Sequence, residues 1–166
     1  MKYDPEIHHR RSIRLHGHDY SQAGAYFVTV CTHNHDLLLQ FEAAQAAVLS
    51  VWHALPLRFP TVVLDEFVIM SNHVHGIIIL RGAASRAPKE SGAASSAPTL
   101  GRVVRAYKSV SAVEANRILG RTGQPFWQRN YYEHIVRSDH ELDHIRQYIR
   151  ENPINWDQAP NNPSNL

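Results

Sequence analysis

Apolar and β-branched residues come in short runs separated by polar, turn-forming ones, and the period of each run predicts its element. Ala25 to Thr32 (AYFVTVCT) follows Gly24 and reads as a strand. Phe41, Ala44, Val48, Val51, Trp52 and Leu55 recur at helical spacing, predicting a helix from Phe41 to Arg58 that ends before Pro60. Thr61 to Ile69 and Asn72 to Arg81 read as two strands, and the short Ser71-Asn72 link makes them an antiparallel hairpin. Thr99 can cap a helix with Leu100, Val103, Val104, Tyr107 and Val110 on one side and Arg102, Arg105 and Lys108 on the other. A fourth strand is expected from Tyr131 to Arg137. The capping box Ser138-Asp139-His140-Glu141 then opens a helix that stops at Asn152-Pro153.

The order βαββαβα predicts an α+β fold: a ferredoxin-like or RRM-like antiparallel four-stranded sheet with helices, plus a C-terminal helix. That last helix must lie on a sheet face or edge. The third strand is apolar on both sides (Ile77 and Ile79 against Val74, Ile78 and Leu80), so both faces of the sheet should be covered. At 166 residues the chain is expected to be one domain, 1–166. Within it, GAASRAP at Gly82–Pro88 recurs as GAASSAP at Gly92–Pro98. This small-residue repeat reads as a flexible insertion over about 82–98.

The third strand also carries His73 and His75. Side chains alternate across a strand, so the two imidazoles share one face, roughly 7 Å apart along the chain. Two neighbouring core histidines would each need a separate partner, whereas together they form a bidentate seat for a divalent ion. The other H-x-H pairs are weaker candidates: His16/His18 lies in a polar, glycine-bearing segment, and His33/His35 at a strand end running into a turn. A third ligand is available on the last helix. Leu142, Ile145 and Ile149 form its apolar stripe, and Tyr148 and Asn152, at i and i+4, stand together along one border. Docked on the sheet, this helix would present a phenol and an amide to the histidine face. The pair His140/His144 falls on its polar side and reads as solvated.

Composition narrows the partner and the compartment. The single Cys31 excludes a disulfide framework and a thiolate metal cluster. No run of some 18 apolar residues and no hydrophobic signal region is present, so no membrane association and a cytoplasmic location are expected. The net charge is only +2, but 14 of the 17 basic residues are arginine, the better fork for phosphate oxygens. They gather at Arg10, Arg11 and Arg14, and Arg102 and Arg105 join Lys108.

MSNHVHGIII on a strand, then FWQRNYYEHIVR, then a helix ending YIRENPINW, resembles the REP-associated tyrosine transposases of the single-tyrosine HUH superfamily. RRSIRLHGHDYSQAGAYFVTV fits the same group, so the resemblance spans roughly Arg10 to Trp156. It departs at Ser71, where the group usually has proline, and in the length and composition of the insertion. The resemblance implies that His73 and His75 are metal ligands, that Asn152 takes the place of the amide-bearing third ligand, and that Tyr148 is the catalytic nucleophile. Mg²⁺ or Mn²⁺ is the implied cofactor, since neutral ligands leave its charge undiminished for a phosphodiester oxygen. The implied reaction is nicking and rejoining of single-stranded DNA beside a hairpin through a 5′-phosphotyrosine. Arg10, Arg11, Arg14, Arg102, Arg105, Lys108, Arg129 and Trp127 are the expected DNA contacts, with Tyr131 and Tyr132 as further stacking candidates. Monomer and homodimer both remain open, with the monomer favoured. Two other readings stand beside this one: a non-catalytic single-stranded nucleic-acid-binding module on the same sheet, and a metal-dependent phosphohydrolase that uses water instead of Tyr148.

Overall fold

The structure, a computed structural model, describes residues 22–82 and 98–156. Strands β1 (Gly24–Cys31), β2 (Val62–Ile69), β3 (His73–Leu80) and β4 (Tyr132–Val136) pair antiparallel in the order β2-β3-β1-β4. Helices α1 (Glu42–His53), α2 (Leu55–Arg58), α3 (Leu100–Ile118) and α4 (Asp139–Asn155) complete the expected βαββαβα order. Each strand lies within one residue of its predicted bounds. Residues 83–97 of the 82–98 insertion, the Arg10, Arg11, Arg14 cluster and the His16/His18 pair fall outside the described residues.

Strand alternation sorts the sheet into two faces. Tyr26, Val28, Val30, Val74 and Ile78 pack against Val48 and Trp52 of α1 and Val103, Val104 and Tyr107 of α3, forming the main core. On the opposite face Phe27 and Ile77 meet Ile149 of α4, flanked by Val68, Leu142 and Ile145. Both faces are therefore covered, as the apolar character of β3 on both sides predicts.

Three local readings are corrected. The single helix expected from Phe41 to Arg58 is two, because Pro56 lacks an N–H and its ring would clash with the carbonyl one turn back. The chain ends α1 at His53 and restarts with Pro56 in the first turn of α2, where a missing N–H costs nothing. Conversely, α4 does not stop at Asn152-Pro153 but runs through Pro153 to Asn155. Proline here removes one intrahelical bond near a helix end, and the extra turn carries Trp156 to within 5.4 Å of the His73 ring. Val110, expected on the apolar side of α3, is exposed.

Gly76 has a role that no periodicity reveals. A Cβ at this position would lie 2.5 and 2.7 Å from two atoms of the Trp52 indole and 2.9 Å from the Phe67 ring. Those two rings stack at 4.3 Å, so α1 rests directly on the backbone between His75 and Ile77. Gly76→Ala is expected to destabilise the fold by about 1–3 kcal/mol through overpacking. Gly82→Ala, whose added carbon would meet only Ala23 at 3.6 Å, should be near neutral. Urea denaturation midpoints of the two variants check this.

Candidate active site

The α4-facing side of β3 carries His73, His75 and Ile77, and β1 runs beside it with Cys31 opposite His73 and Thr29 opposite His75. This register supplies each imidazole with a partner for its inner nitrogen. His73 Nδ1 lies 2.7 Å from Asn72 Oδ1, and His75 Nδ1 lies 2.8 Å from Thr29 Oγ1. Asn72 is itself fixed in a buried turn. Its carbonyl accepts from both the backbone N–H and the hydroxyl of Thr32, and Met70 N–H closes the hairpin on His73 O.

With their inner nitrogens engaged, the rings turn their outer nitrogens toward each other: His73 Nε2 and His75 Nε2 are 3.1 Å apart. His75 is only 6% exposed, stacked on Phe27 with ring centroids at 5.4 Å. Burial depresses both imidazole pKa values, to about 4 for His73 and about 3 for His75. A nearby charge adds to this, from His35 in the first case and from His73 in the second. Both rings are neutral at physiological pH, the form in which imidazole donates a lone pair. Among the described residues, no third His, Cys, Asp or Glu joins them in a metal-binding group.

Helix α4 closes the site from above. Ser138 caps it by accepting from Glu141 N–H, and the Glu141 carboxylate accepts from Arg137 N–H and faces His134 Nε2 at 2.7 Å, tying the helix start to β4. Tyr148 is half exposed, at 51%, with its ring 5.4 Å from His75 and 6.1 Å from Phe27. Trp156, two turns later, contacts His73. Asn152 lies midway between these two residues along the same strip, at i+4 from one and i−4 from the other, and is half buried. The structure thus gathers His73, His75, Tyr148 and the Asn152 position on one side of the sheet.

The expected DNA contacts are scattered by comparison. Arg102, Arg105 and Arg129 are exposed, with the Arg102 guanidinium 6.0 Å from the Phe59 ring. A groove of about 510 Å³ between α3 and the 124–131 segment is lined by Arg105, Lys108 and Arg129. Lys108, however, spends its ammonium on the carbonyls of Gln128, Arg129 and Asn130, and burial lowers its pKa to about 8. Trp127 is a buried core residue whose indole N–H donates to Ser111 Oγ, which corrects its expected role as a DNA contact. Tyr131 packs with the main core, and Tyr132 faces Phe27 on the α4 side. His33 and His35 sit in a tight turn after β1, with Asn34 and His35 at φ of 53° and 57° and His35 Nε2 facing Gln128 Nε2 at 3.0 Å. His140 and His144 are exposed, as expected. Two contributors escape sequence reasoning. Asn72 directly precedes His73 and carries at least a positional hint, whereas Thr29 becomes visible only through the β1–β3 register.

In the metal-free protein these buried, neutral histidines make stability depend on pH. Unfolded histidine protonates near pH 6.5, while the folded pair resists down to about pH 4 and 3. The unfolded state therefore binds more protons throughout that window. Stability should be full above pH 7 and fall as pH drops from 6.5 toward 4, by up to about 1.4 kcal/mol per pH unit for each histidine. His75→Gln should remove a large part of that slope, measured by urea titrations at several pH values in the presence of a chelator.

No family model matches the chain. A protein of Haemophilus influenzae described only as uncharacterized is 37% identical over 179 aligned positions, covering 95% of each chain. Among solved structures, a REP-associated tyrosine transposase bound to a REP hairpin aligns with a TM-score of 0.53 at 22% identity, over 86% of this chain and 73% of that one. A candidate transposase of Deinococcus radiodurans R1 aligns with a TM-score of 0.51 at 17% identity, over 84% and 97%. The fold is that of the transposase neighbours which the sequence resemblance names.

Proposed function

On the premise that this chain belongs to one family with the Haemophilus influenzae protein, we propose that it is a metal-dependent transposase-like enzyme. In this reading it nicks and rejoins single-stranded DNA at hairpin-bearing sequences. The observation that carries the reading is the convergence of His73 Nε2 and His75 Nε2 beneath the ring of Tyr148. The hairpin carried by the REP-associated neighbour is the basis for the substrate class.

His73 and His75 would hold Mg²⁺ or Mn²⁺, with Asn152 as the amide ligand; such hard ions prefer carboxylate oxygens, so this neutral set would bind them weakly and share them with the DNA phosphate. When bound, the ion supplies positive charge that polarises a phosphodiester oxygen and offsets charge at the crowded phosphorus. Asn72 and Thr29 are the outer partners that orient both imidazoles. The Asn72 amide oxygen only accepts, so it holds a proton on His73 Nδ1 and leaves a lone pair on Nε2. The Thr29 hydroxyl can donate to or accept from His75 Nδ1. It therefore lets His75 shed its Nε2 proton and keep the ring in place.

Tyr148 is the nucleophile in this scheme. A Tyr148 Oη–P bond forms as the P–O3′ bond breaks, the phenolic proton passes to solvent water, and the released 3′ oxygen takes up a proton from solvent to become a hydroxyl. The phosphotyrosine conserves the phosphodiester bond energy, so a second 3′-hydroxyl can reverse the reaction on another strand. Phe27 packs against the Tyr148 ring, while half exposure leaves the side chain accessible to a strand approaching from solvent. Arg105 and Arg129, exposed along the α3 groove, are candidates for holding backbone phosphates. The binding-module reading loses support because α4 covers the sheet face on which such a module would stack bases.

The test is incubation with hairpin-bearing single-stranded DNA and Mn²⁺, followed by denaturing electrophoresis. A denaturation-resistant adduct mapping to Tyr148 by mass spectrometry is expected. Cleavage without adduct would favour water as the nucleophile, and binding alone would favour a non-catalytic module. Tyr148→Phe should form no adduct yet retain hairpin binding, and His75→Ala should lose metal-dependent cleavage. Asn152→Ala should raise the Mn²⁺ concentration needed for half-maximal rate by at least about 10-fold, since losing a direct ligand costs no less than losing an outer partner that orients one.

A further inference from the structure

The strand that holds neither histidine nor tyrosine carries an acidic pair whose arrangement needs explaining. Asp65 and Glu66 are adjacent in β2, and adjacent strand residues normally point to opposite faces. Here the β2–β3 register slips between Leu64, opposite Ile78, and Phe67, opposite Gly76, so both acidic residues face the single Ile77 across a β-bulge. The Asp65 carboxylate accepts from Glu66 N–H at 2.8 Å and so stitches the bulge together. Leu64 and Phe67 stay with the main core while Val68 rejoins the α4 side, so the bulge turns both carboxylates toward α4 without disturbing either core.

Both carboxylates are met by arginines one helical turn apart. Asp65 accepts from Arg146 Nε at 3.1 and 3.2 Å and from Arg146 Nη2 at 2.6 Å. Glu66 accepts from Nε and Nη2 of Arg150, the former at 2.8 Å. Asp143 adds a second carboxylate to Arg146 at 2.9 Å. At about 100° per residue, Arg146 and Arg150 lie on one flank of the apolar stripe Leu142, Ile145, Ile149, and Tyr148 lies on the other. An apolar stripe alone leaves a helix free to roll about its axis, because hydrophobic contact is not directional. Two ion pairs on one flank, Arg146 on both oxygens of Asp65 and Arg150 with two nitrogens on a single oxygen of Glu66, remove that freedom, and the opposite flank is the one that holds the phenol.

We propose that Asp65 and Glu66 are positioning residues for Tyr148: the bulged acidic pair on β2 sets the roll of α4 and so holds the phenol over the histidine pair of its own chain. This rests on the proposed role of Tyr148, but the placement itself can be read without turnover. The Tyr148 and His75 rings meet edge-to-face with centroids 5.4 Å apart, so the tyrosine ring current should shift the imidazole proton resonances in the metal-free protein, and Tyr148→Leu supplies the reference without that ring. In full-length Asp65→Asn/Glu66→Gln, the His75 resonances should move most of the way to the Tyr148→Leu position. The adduct-forming kcat on hairpin DNA should fall at least tenfold, while KM and the Mn²⁺ requirement stay within twofold. The charge swap Asp65→Arg/Arg146→Asp should recover both readouts relative to Asp65→Arg alone, which a general loss of stability would not do. His75 resonances unmoved in the double variant, or a charge swap as impaired as Asp65→Arg, would overturn the proposal. If the wild-type chain forms no adduct, the reading of Tyr148 as nucleophile fails, and the resonances still decide whether the clamp places the ring.

Discussion

A four-stranded ferredoxin-like sheet with helices on one side only would leave Phe27, Ile77 and both histidines in water. The docking of α4 on the second face, through Ile149 against Phe27 and Ile77, prevents this, and the remaining features of the site depend on it. Each of these side chains contributes about 1.5–3 kcal/mol when fully buried, so the helix is held by its apolar stripe before any polar contact forms. The same burial strips water from the imidazoles, which keeps them neutral and gives their hydrogen bonds a low-dielectric setting.

The polar contacts add direction. Asn72 and Thr29 each engage one imidazole nitrogen, and Thr32 ties the Asn72 turn to the end of β1. The histidines are thus aimed by hydrogen bonds from one strand and one turn, while the main core fixes the backbone beneath them. Trp52 pressing on Gly76 is the closest link between the two layers, because the glycine sits between His75 and Ile77 on the strand that carries the site. The two-sided sheet thus has its main core on one face and the histidine pair, covered by α4, on the other.

Helix α4 combines the two kinds of force. Its N-terminus is tied to β4 through Glu141 and His134, its middle to β2 through Arg146 and Arg150, and its end to His73 through Trp156. The ion pairs are partly exposed, so their net contribution to stability is small. Their value is geometric, since they resist sliding and rolling of a helix whose apolar contacts alone would tolerate both. The half exposure of Tyr148 fits this arrangement: the helix backbone is held from three sides while the tyrosine stays partly open to solvent.

Much of this was legible in the residues themselves. The βαββαβα order, the bounds of the strands, the two-sided burial of β3 and the sharing of one face by His73 and His75 all follow from periods of 2 and 3.6, which are properties of the local chain. The placing of Tyr148 and Asn152 on one border of α4 follows from the same geometry. What the tertiary structure decided are the contacts between segments distant in sequence. They are the β1–β3 register that brings Thr29 to His75, the approach of Trp52 that requires Gly76, the burial of Trp127 on Ser111, and the bulge that turns both Asp65 and Glu66 toward α4. Continuation of α4 through Pro153 belongs to the same class, because local preference favours a stop there and the last turn ends with Trp156 against His73. The physical reason is common to all of them. Periodicity fixes the direction in which a side chain points relative to its own backbone, whereas its partner is set by how separate elements pack, and that is a property of the assembled sheet.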